Sequence, residues 1–330
     1  MSGWLRTCRG AANFRFSTNR PTVGDTRVQK TLGSAEPFMQ DKKLWVAITA
    51  HNPLSRLECL IGVVKEYSSY PCEVLINVYV NYDAQDSADL LKSILERVSN
   101  KTIEIRVASP GYENWYLTWA HKTDLALAVL NRAADFYIYQ ENDMHLSLEN
   151  FKYWYKWQPR LKPLGLEPGF ARFEKYSGKR VLFDNYFPYS LTRVTPKIWG
   201  DRGFEVSKIL VLDREVNFFV QLANPYYGAM ILAQSDAEKY IRTASFDPEL
   251  SYSRVGVRNW PIADRSSMGL AFESPPTPYE HRRCVPVHRT SAGYEIYDVG
   301  LIWHEDTKYS VELERQHGEL KDCATMLSLD

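Results

Sequence analysis

The stretch Ala134-Asp135-Phe136-Tyr137-Ile138-Tyr139-Gln140-Glu141-Asn142-Asp143-Met144-His145-Leu146-Ser147-Leu148 decides how this chain is read. Residues 136 to 139 are aromatic or β-branched, a composition that predicts a buried strand, and the run stops on Glu141, Asn142 and Asp143. In open α/β sheets, ligands settle in the crevice beyond the carboxyl ends of the strands. Two acids one residue apart offer hard oxygen ligands to Mg²⁺ or Mn²⁺, and an ion held there would clamp a diphosphate. An E-x-D triplet is also a common solvated corner, so the surrounding pattern has to decide.

Upstream, residues 44 to 48 form a short apolar run that ends at Thr49-Ala50-His51-Asn52-Pro53, where the proline stops any ladder. Residues 57 to 67 have helical spacing through Leu57, Leu60, Ile61 and Val64. A second strand is expected over 73 to 80, ending in Asn81, Tyr82 and Asp83, and a second helix over 87 to 98. A third strand over 103 to 107 leads into Ser109-Pro110-Gly111, an aromatic loop over 112 to 119 and a helix over 121 to 133. Strands alternating with helices imply an α/β fold: a mostly parallel sheet flanked by helices.

Downstream the periodicity degrades into a loop-rich α+β part. Residues 149 to 160 read as a ring-rich helix, with Trp154 and Trp157 in the core. Strands are expected over 169 to 174 and 180 to 183, a helix over 226 to 242 behind Pro225, loops over 243 to 292 and a last strand over 294 to 303. Residues 1 to 40 carry Arg6, Arg9, Arg15 and Arg20 with no acid before Asp25, and read as a disordered or organelle-targeting leader. Residues 41 to 150 and 151 to 330 then read as two halves of one domain.

Hydrophobic residues make up 45% of the chain and the formal net charge is zero, which argues for a globular protein without a polyanion-binding signature, hence no nucleic acid. No apolar run is long enough to span a bilayer, so no integral membrane segment is expected. Cys8, Cys59, Cys72, Cys284 and Cys323 are scattered, which gives no disulfide framework and weakly favours a reducing compartment; the basic leader and the Asn100-Lys101-Thr102 sequon keep organelle and secretory locations open. Nine Trp and 21 Tyr supply rings suited to cores and to sugar stacking. Trp115, following Asn114 in the loop after the third strand, is the ring most expected to face a ligand.

The order of elements, with acids after the fourth strand, resembles the GT-A fold of nucleotide-diphospho-sugar glycosyltransferases, closely over residues 43 to 150 and loosely beyond. The resemblance implies a Rossmann-like, mostly parallel sheet, and a nucleotide held by Thr49, Ala50, His51 and Asn52. It implies Asp83 at the base or ribose, and Mn²⁺ or Mg²⁺ on Glu141 and Asp143 with His304 as a further ligand. Glu141-Asn142-Asp143 departs from the family's D-x-D or E-D-D motif by its central Asn. The implied donor is a nucleotide-diphospho-sugar and the implied acceptor a saccharide, glycoprotein or glycolipid.

Such a reaction develops negative charge on the leaving diphosphate, which a metal on Asp143 would stabilise, and Lys122 and Arg265 are candidate supporting cations. An inverting transfer needs a carboxylate to take the acceptor proton, and Asp264, Glu273 and Glu174 are the candidates, with Asp264 and Glu273 bracketing the turn at Gly269. A non-catalytic carbohydrate-binding or scaffold protein on a transferase-like fold is the competing expectation, and Asn142 is the residue that sustains it.

Overall fold

Apolar side chains on both faces of Lys43–Ala50, strand β1, place that strand in the interior of a sheet. The structure, a computed structural model, describes residues 39–81, 85–100, 102–112, 114–182, 218–220, 228–253, 261–268, 270–277, 281–290 and 293–320. One edge of β1 pairs in parallel with β2 (Glu73–Val80), which pairs in parallel with β3 (Ile103–Ala108); the other edge takes β4 (Phe136–Glu141), again in parallel. Helices α1 (Leu57–Tyr67), α2 (Gln85–Val98) and α3 (Lys122–Leu130) occupy the crossovers.

The chain continues through β5 (Met144–His145), α4 (Leu148–Leu161), β6 (Glu167–Pro168), β7 (Ala171–Tyr176), β8 (Lys179–Leu182) and β9 (Phe218–Val220) to β10 (Ala229–Ala233). Strand β10 runs antiparallel to β4 and completes the central sheet in the order β10-β4-β1-β2-β3. After it come α5 (Gln234–Tyr240), α6 (Pro248–Ser253), α7 (Ile262–Met268), β11 (Arg283–Thr290), β12 (Gly293–Ile296), β13 (Leu301–His304) and α8 (Lys308–His317). Two smaller sheets form from these parts, one of β11 with β12, β6 and β9, the other in the order β5-β13-β7-β8. The fold is α/β, with mixed sheets flanked by helices.

Period-two alternation divides the core between the faces of the central sheet. Val46, Ile48, Ile76, Val78 and Ile138 share one cluster with residues of α1, α2 and α4, where Trp154 and Trp157 are buried as expected. Trp45, Ala47, Tyr79, Tyr137 and Tyr139 share another with α3 and α5. Ser147 and Asn150 cap α4 reciprocally, and Asn150 Nδ2 donates to the carbonyls of Val299 and Leu301, each at 2.9 Å, tying that helix start to the entry of β13. Among the described residues no helix is long and apolar enough to cross a membrane.

The structure corrects three readings in the second half. Residues 226 to 242 are not one helix: Ala229–Ala233 is a strand and helix begins at Gln234, while residues 226 and 227 lie outside the described part. A run that is apolar at every position, Ala-Met-Ile-Leu-Ala, suits a strand as well as a helix, and the open edge of β4 captures it. Residues 243 to 292 hold α6, α7 and β11 where loops were expected, and the strand expected over 294 to 303 divides into β12 and β13 around a helical turn at Asp298–Gly300. The leader reading of residues 1 to 40 falls almost wholly outside the described residues.

Buried Gln140 anchors the acidic turn to the core: its Oε1 accepts from the Tyr67 hydroxyl, and its Nε2 donates to the Met144 carbonyl at 2.8 Å. Gln140→Leu leaves both of those partners bare and should cost about 3 kcal/mol in urea unfolding, whereas Tyr67→Phe, which strands only one oxygen, should cost about 1–2 kcal/mol. Equal costs for the two variants would show that Gln140 does not hold the turn.

Candidate functional site

Strands β1 and β4 end at the same level because their register pairs Thr49 with Glu141. The segments leaving them open a cleft of about 510 Å³. Thr49, His51, Asn52 and Arg56 line it from the β1 side, and Glu141, Asn142 and Asp143 from the end of β4. Trp115 and Thr118 come from the helical turn Asn114–Trp119, Ala263 from α7 and Lys308 from α8.

Backbone hydrogen bonds fix the acidic turn from three directions. Glu141 N–H donates to Gly228 O at 3.0 Å, Asn142 N–H to Thr49 O at 3.1 Å, and Asp143 O accepts from Glu305 N–H at 2.8 Å. Gly228 has φ +60, and a Cβ there would lie 3.0 Å from Met144 Cγ and 3.3 Å from Glu141 Oε2, so a side chain at 228 would be strained in its backbone and crowd both neighbours. The loop after β1 is set by a reciprocal pair: Asn81 Oδ1 accepts from Asn52 N–H at 2.7 Å, and Asn81 Nδ2 donates to Asn52 Oδ1 at 3.0 Å. Asn52 itself is left-handed, φ 48, a conformation asparagine tolerates better than most residues.

The pairing of β5 with β13 brings His304 opposite Met144 and hence beside Asp143. His304 Nε2 lies 3.5 Å from Asp143 Oδ2, and Nδ1 lies 2.9 Å from Glu174 Oε1. Glu174 is fully buried and also accepts from Ser310 N–H at 2.6 Å, at the start of α8. Burial alone would lower the imidazole's pKa, but the hydrogen bonds to Asp143 and Glu174 outweigh it and raise it to about 9. Burial alone would raise Asp143, but His304, Lys308 and Arg56 bring it down to about 2. Arg56 spans two carboxylates, with Nη1 3.2 Å from Asp143 Oδ2 and Nη2 2.7 Å from Asp306 Oδ2.

Asp143 and His304 suit a divalent ion in part. Asp143 Oδ1 is buried with no hydrogen-bond partner, and His304 Nε2, paired with Asp143, would join an ion on giving up its proton while a carboxylate orients the other nitrogen. Among the described residues no three or more His, Cys, Asp or Glu are grouped to hold an ion, so Glu141 does not complete a protein-only set. An ion here would draw its remaining ligands from the oxygens of a bound molecule.

Of the residues singled out in the sequence, the cleft gathers Thr49, His51, Asn52, Trp115, Glu141 and Asp143, with His304 touching Asp143. Trp115 is 70% exposed at the cleft. Asp264 is not among the lining residues, although its chain neighbour Ala263 is, and burial raises its carboxyl to about 6, an effect partly offset by Arg172. Asp83 lies outside the described residues.

Lys122, Arg265 and Glu273 do not line the cleft. Lys122 is buried behind it, where Nζ donates to the Tyr240 hydroxyl and to Ser266 O at 3.1 Å, and burial lowers its pKa strongly. Arg265 donates to Pro248 O and Ser251 Oγ. Glu273 accepts from Ser245 Oγ at 2.6 Å, and Glu174 is committed to His304 and α8. The cations at the cleft are instead Arg56 and Lys308. Arg56 sits in the loop after β1 and Lys308 four residues beyond His304, positions next to motifs already singled out.

In chelator-treated protein the Asp143–His304 pair should confine maximal stability to a mildly acidic window. The native pKa of Asp143 is below its unfolded value, so its contribution is present above about pH 4 and is lost as pH falls toward about 2. That of His304 is raised, so its contribution is complete below about pH 6.5 and is lost as pH rises toward about 9. Asp143→Asn should cost about 2 kcal/mol near pH 6 and flatten the decline from there to pH 9. Urea unfolding across pH checks this, and an unchanged alkaline decline in the variant would contradict it. No protein-family model matches this chain, and no curated protein matches it.

Proposed function

We propose that this protein is a glycosyltransferase that moves a sugar from a nucleoside-diphosphate donor to an acceptor hydroxyl. The observation that carries the reading is Asp143, fixed beyond the carboxyl ends of parallel strands at a cleft of about 510 Å³, with His304 beside it and Oδ1 unpartnered. That volume falls in the range of small-molecule sites. Three parallel pairings and an antiparallel fifth strand next to β4 support a GT-A-like arrangement of the central sheet.

Thr49, His51 and Asn52 form the wall from which the nucleotide is held, and the exposed ring of Trp115 offers a stacking face for a base or sugar. A divalent ion, Mn²⁺ or Mg²⁺, on Asp143 and His304 would neutralise charge as it develops on the departing diphosphate. Arg56 and Lys308 supply positive charge to the same phosphates, with Arg56 exchanging a carboxylate for a phosphate partner. The acceptor oxygen bonds to the anomeric carbon, the bond from that carbon to the diphosphate breaks, and the electron pair leaves with the diphosphate. The acceptor's proton needs a carboxylate to receive it, and Asp264, next in the chain to the lining residue Ala263 and in its basic form above about pH 6, is the candidate.

The acceptor is a saccharide or a glycosylated protein or lipid. The rival reading, a non-catalytic carbohydrate-binding or scaffold protein, draws on Arg56, whose guanidinium occupies the Asp143 oxygen nearest His304. Calorimetry with uridine and guanosine diphosphates separates the two: binding strengthened by Mn²⁺ supports the enzyme, and no binding under any condition refutes it. Asp143→Ala should lower transfer from a nucleotide sugar by roughly 10²–10³-fold while the protein stays folded. Asp264→Asn should lower kcat by about 10²–10⁴-fold and abolish the acid limb near pH 6 in the rate profile, whereas an unchanged profile would remove Asp264 from the mechanism.

A further inference from the structure

Asn142 lies between the two acids, is only 6% exposed, and lines the cleft. Its backbone is fixed by the bond to Thr49 O, yet its side-chain Nδ2 is buried with no hydrogen-bond partner. An amide donor left unbonded costs about 1–3 kcal/mol, and native folds rarely keep one without a reason. The residue lines the cleft, and this donor is left unspent there.

What such a donor accepts as a partner is set by its surroundings. An amide N–H bonds an oxygen, and Arg56 and Lys308 at the same cleft favour an anionic one. An aspartate at this position would place three carboxylates in succession and repel a phosphate unless a cation intervened. Asparagine is close to aspartate in shape, removes one negative charge and supplies a donor.

We propose that Asn142 is a phosphate-facing specificity residue that allows the cleft to hold a nucleoside diphosphate without a divalent cation. The inference rests on the nucleotide reading of the cleft and adds that a cation strengthens binding but is not required for it. The diphosphate is held by Asn142 Nδ2 together with Arg56 and Lys308, and the cation joins through Asp143 and His304.

The test is calorimetric titration of uridine and guanosine diphosphates into the full chain and into Asn142→Ala and Asn142→Asp, each in EDTA and in Mn²⁺. Wild type should bind in EDTA within about tenfold of its affinity in Mn²⁺, and Asn142→Ala should lose about tenfold in EDTA, the effect of one charge-assisted hydrogen bond. Asn142→Asp should lose about 100-fold in EDTA and recover most of that in Mn²⁺, because the added carboxylate repels bare phosphate and attracts the ion. Since Nδ2 bonds nothing in the protein, Asn142→Ala should melt close to wild type; its unfolding would assign the side chain a structural role and overturn the inference. If Asn142→Asp alone fails to fold, Asn142→Ala decides. Wild-type binding that needs Mn²⁺, or that Asn142→Ala leaves unchanged in EDTA, overturns this inference and leaves the proposed function standing. Failure of wild type to bind either nucleotide in either condition overturns both.

Discussion

One imidazole shared by two buried carboxylates organises the functional half of this molecule. His304 reaches Glu174 through one ring nitrogen and Asp143 through the other, and all three side chains are buried. A buried charge is tolerated only when paired, so each member constrains where the others sit. The contact joins β7, β13 and the turn after β4, and through Ser310 N–H it also fixes the start of α8. Lys308 is at the cleft because that start is fixed.

This arrangement needs two scaffolds that meet at one place. The central sheet supplies the level at which β1 and β4 both end, through the pairing of Thr49 with Glu141. The smaller sheet supplies the histidine, through the antiparallel pairing of β13 with the two-residue strand β5 directly after the acids. Asp143 lies at the junction, its carbonyl bonded to Glu305 and its carboxylate to His304 and Arg56. A loop alone would leave such a carboxylate mobile, whereas here bonds to both sheets restrict it.

The first half was legible because its periods are clear. Alternation between short β-branched runs and helical spacing located β1, α1, β2, β3 and β4 to within a residue or two, and the acids at a strand end marked the cleft. Residue-level chemistry was harder to read. Lys122, Arg265 and Glu273 look like any available charge in a sequence, but each is held by groups distant along the chain: Ser266 and Tyr240, Pro248 and Ser251, and Ser245. Arg56 carried no motif of its own, and its role follows from an ion pair with a residue 250 positions away. Strand β10 was missed for the same reason, since an all-apolar run takes its structure from the edge that receives it.

Arg56 also shows how the cleft's charge can answer to what enters it. Its guanidinium spans Asp143 and Asp306, and its side chain is 42% exposed, so these bonds face the solvent in part and are individually weak. A diphosphate offers the same fork a bidentate partner of higher charge. Under the proposed reading, transfer of Arg56 to a phosphate removes a cation from Asp143 at the moment when more negative charge arrives. Asp143 is then left with His304 and an unpartnered Oδ1, a combination that attracts a divalent ion more strongly than the guanidinium-paired carboxylate does. Anion and cation would therefore bind with positive coupling, and linkage requires each to strengthen the other by the same factor.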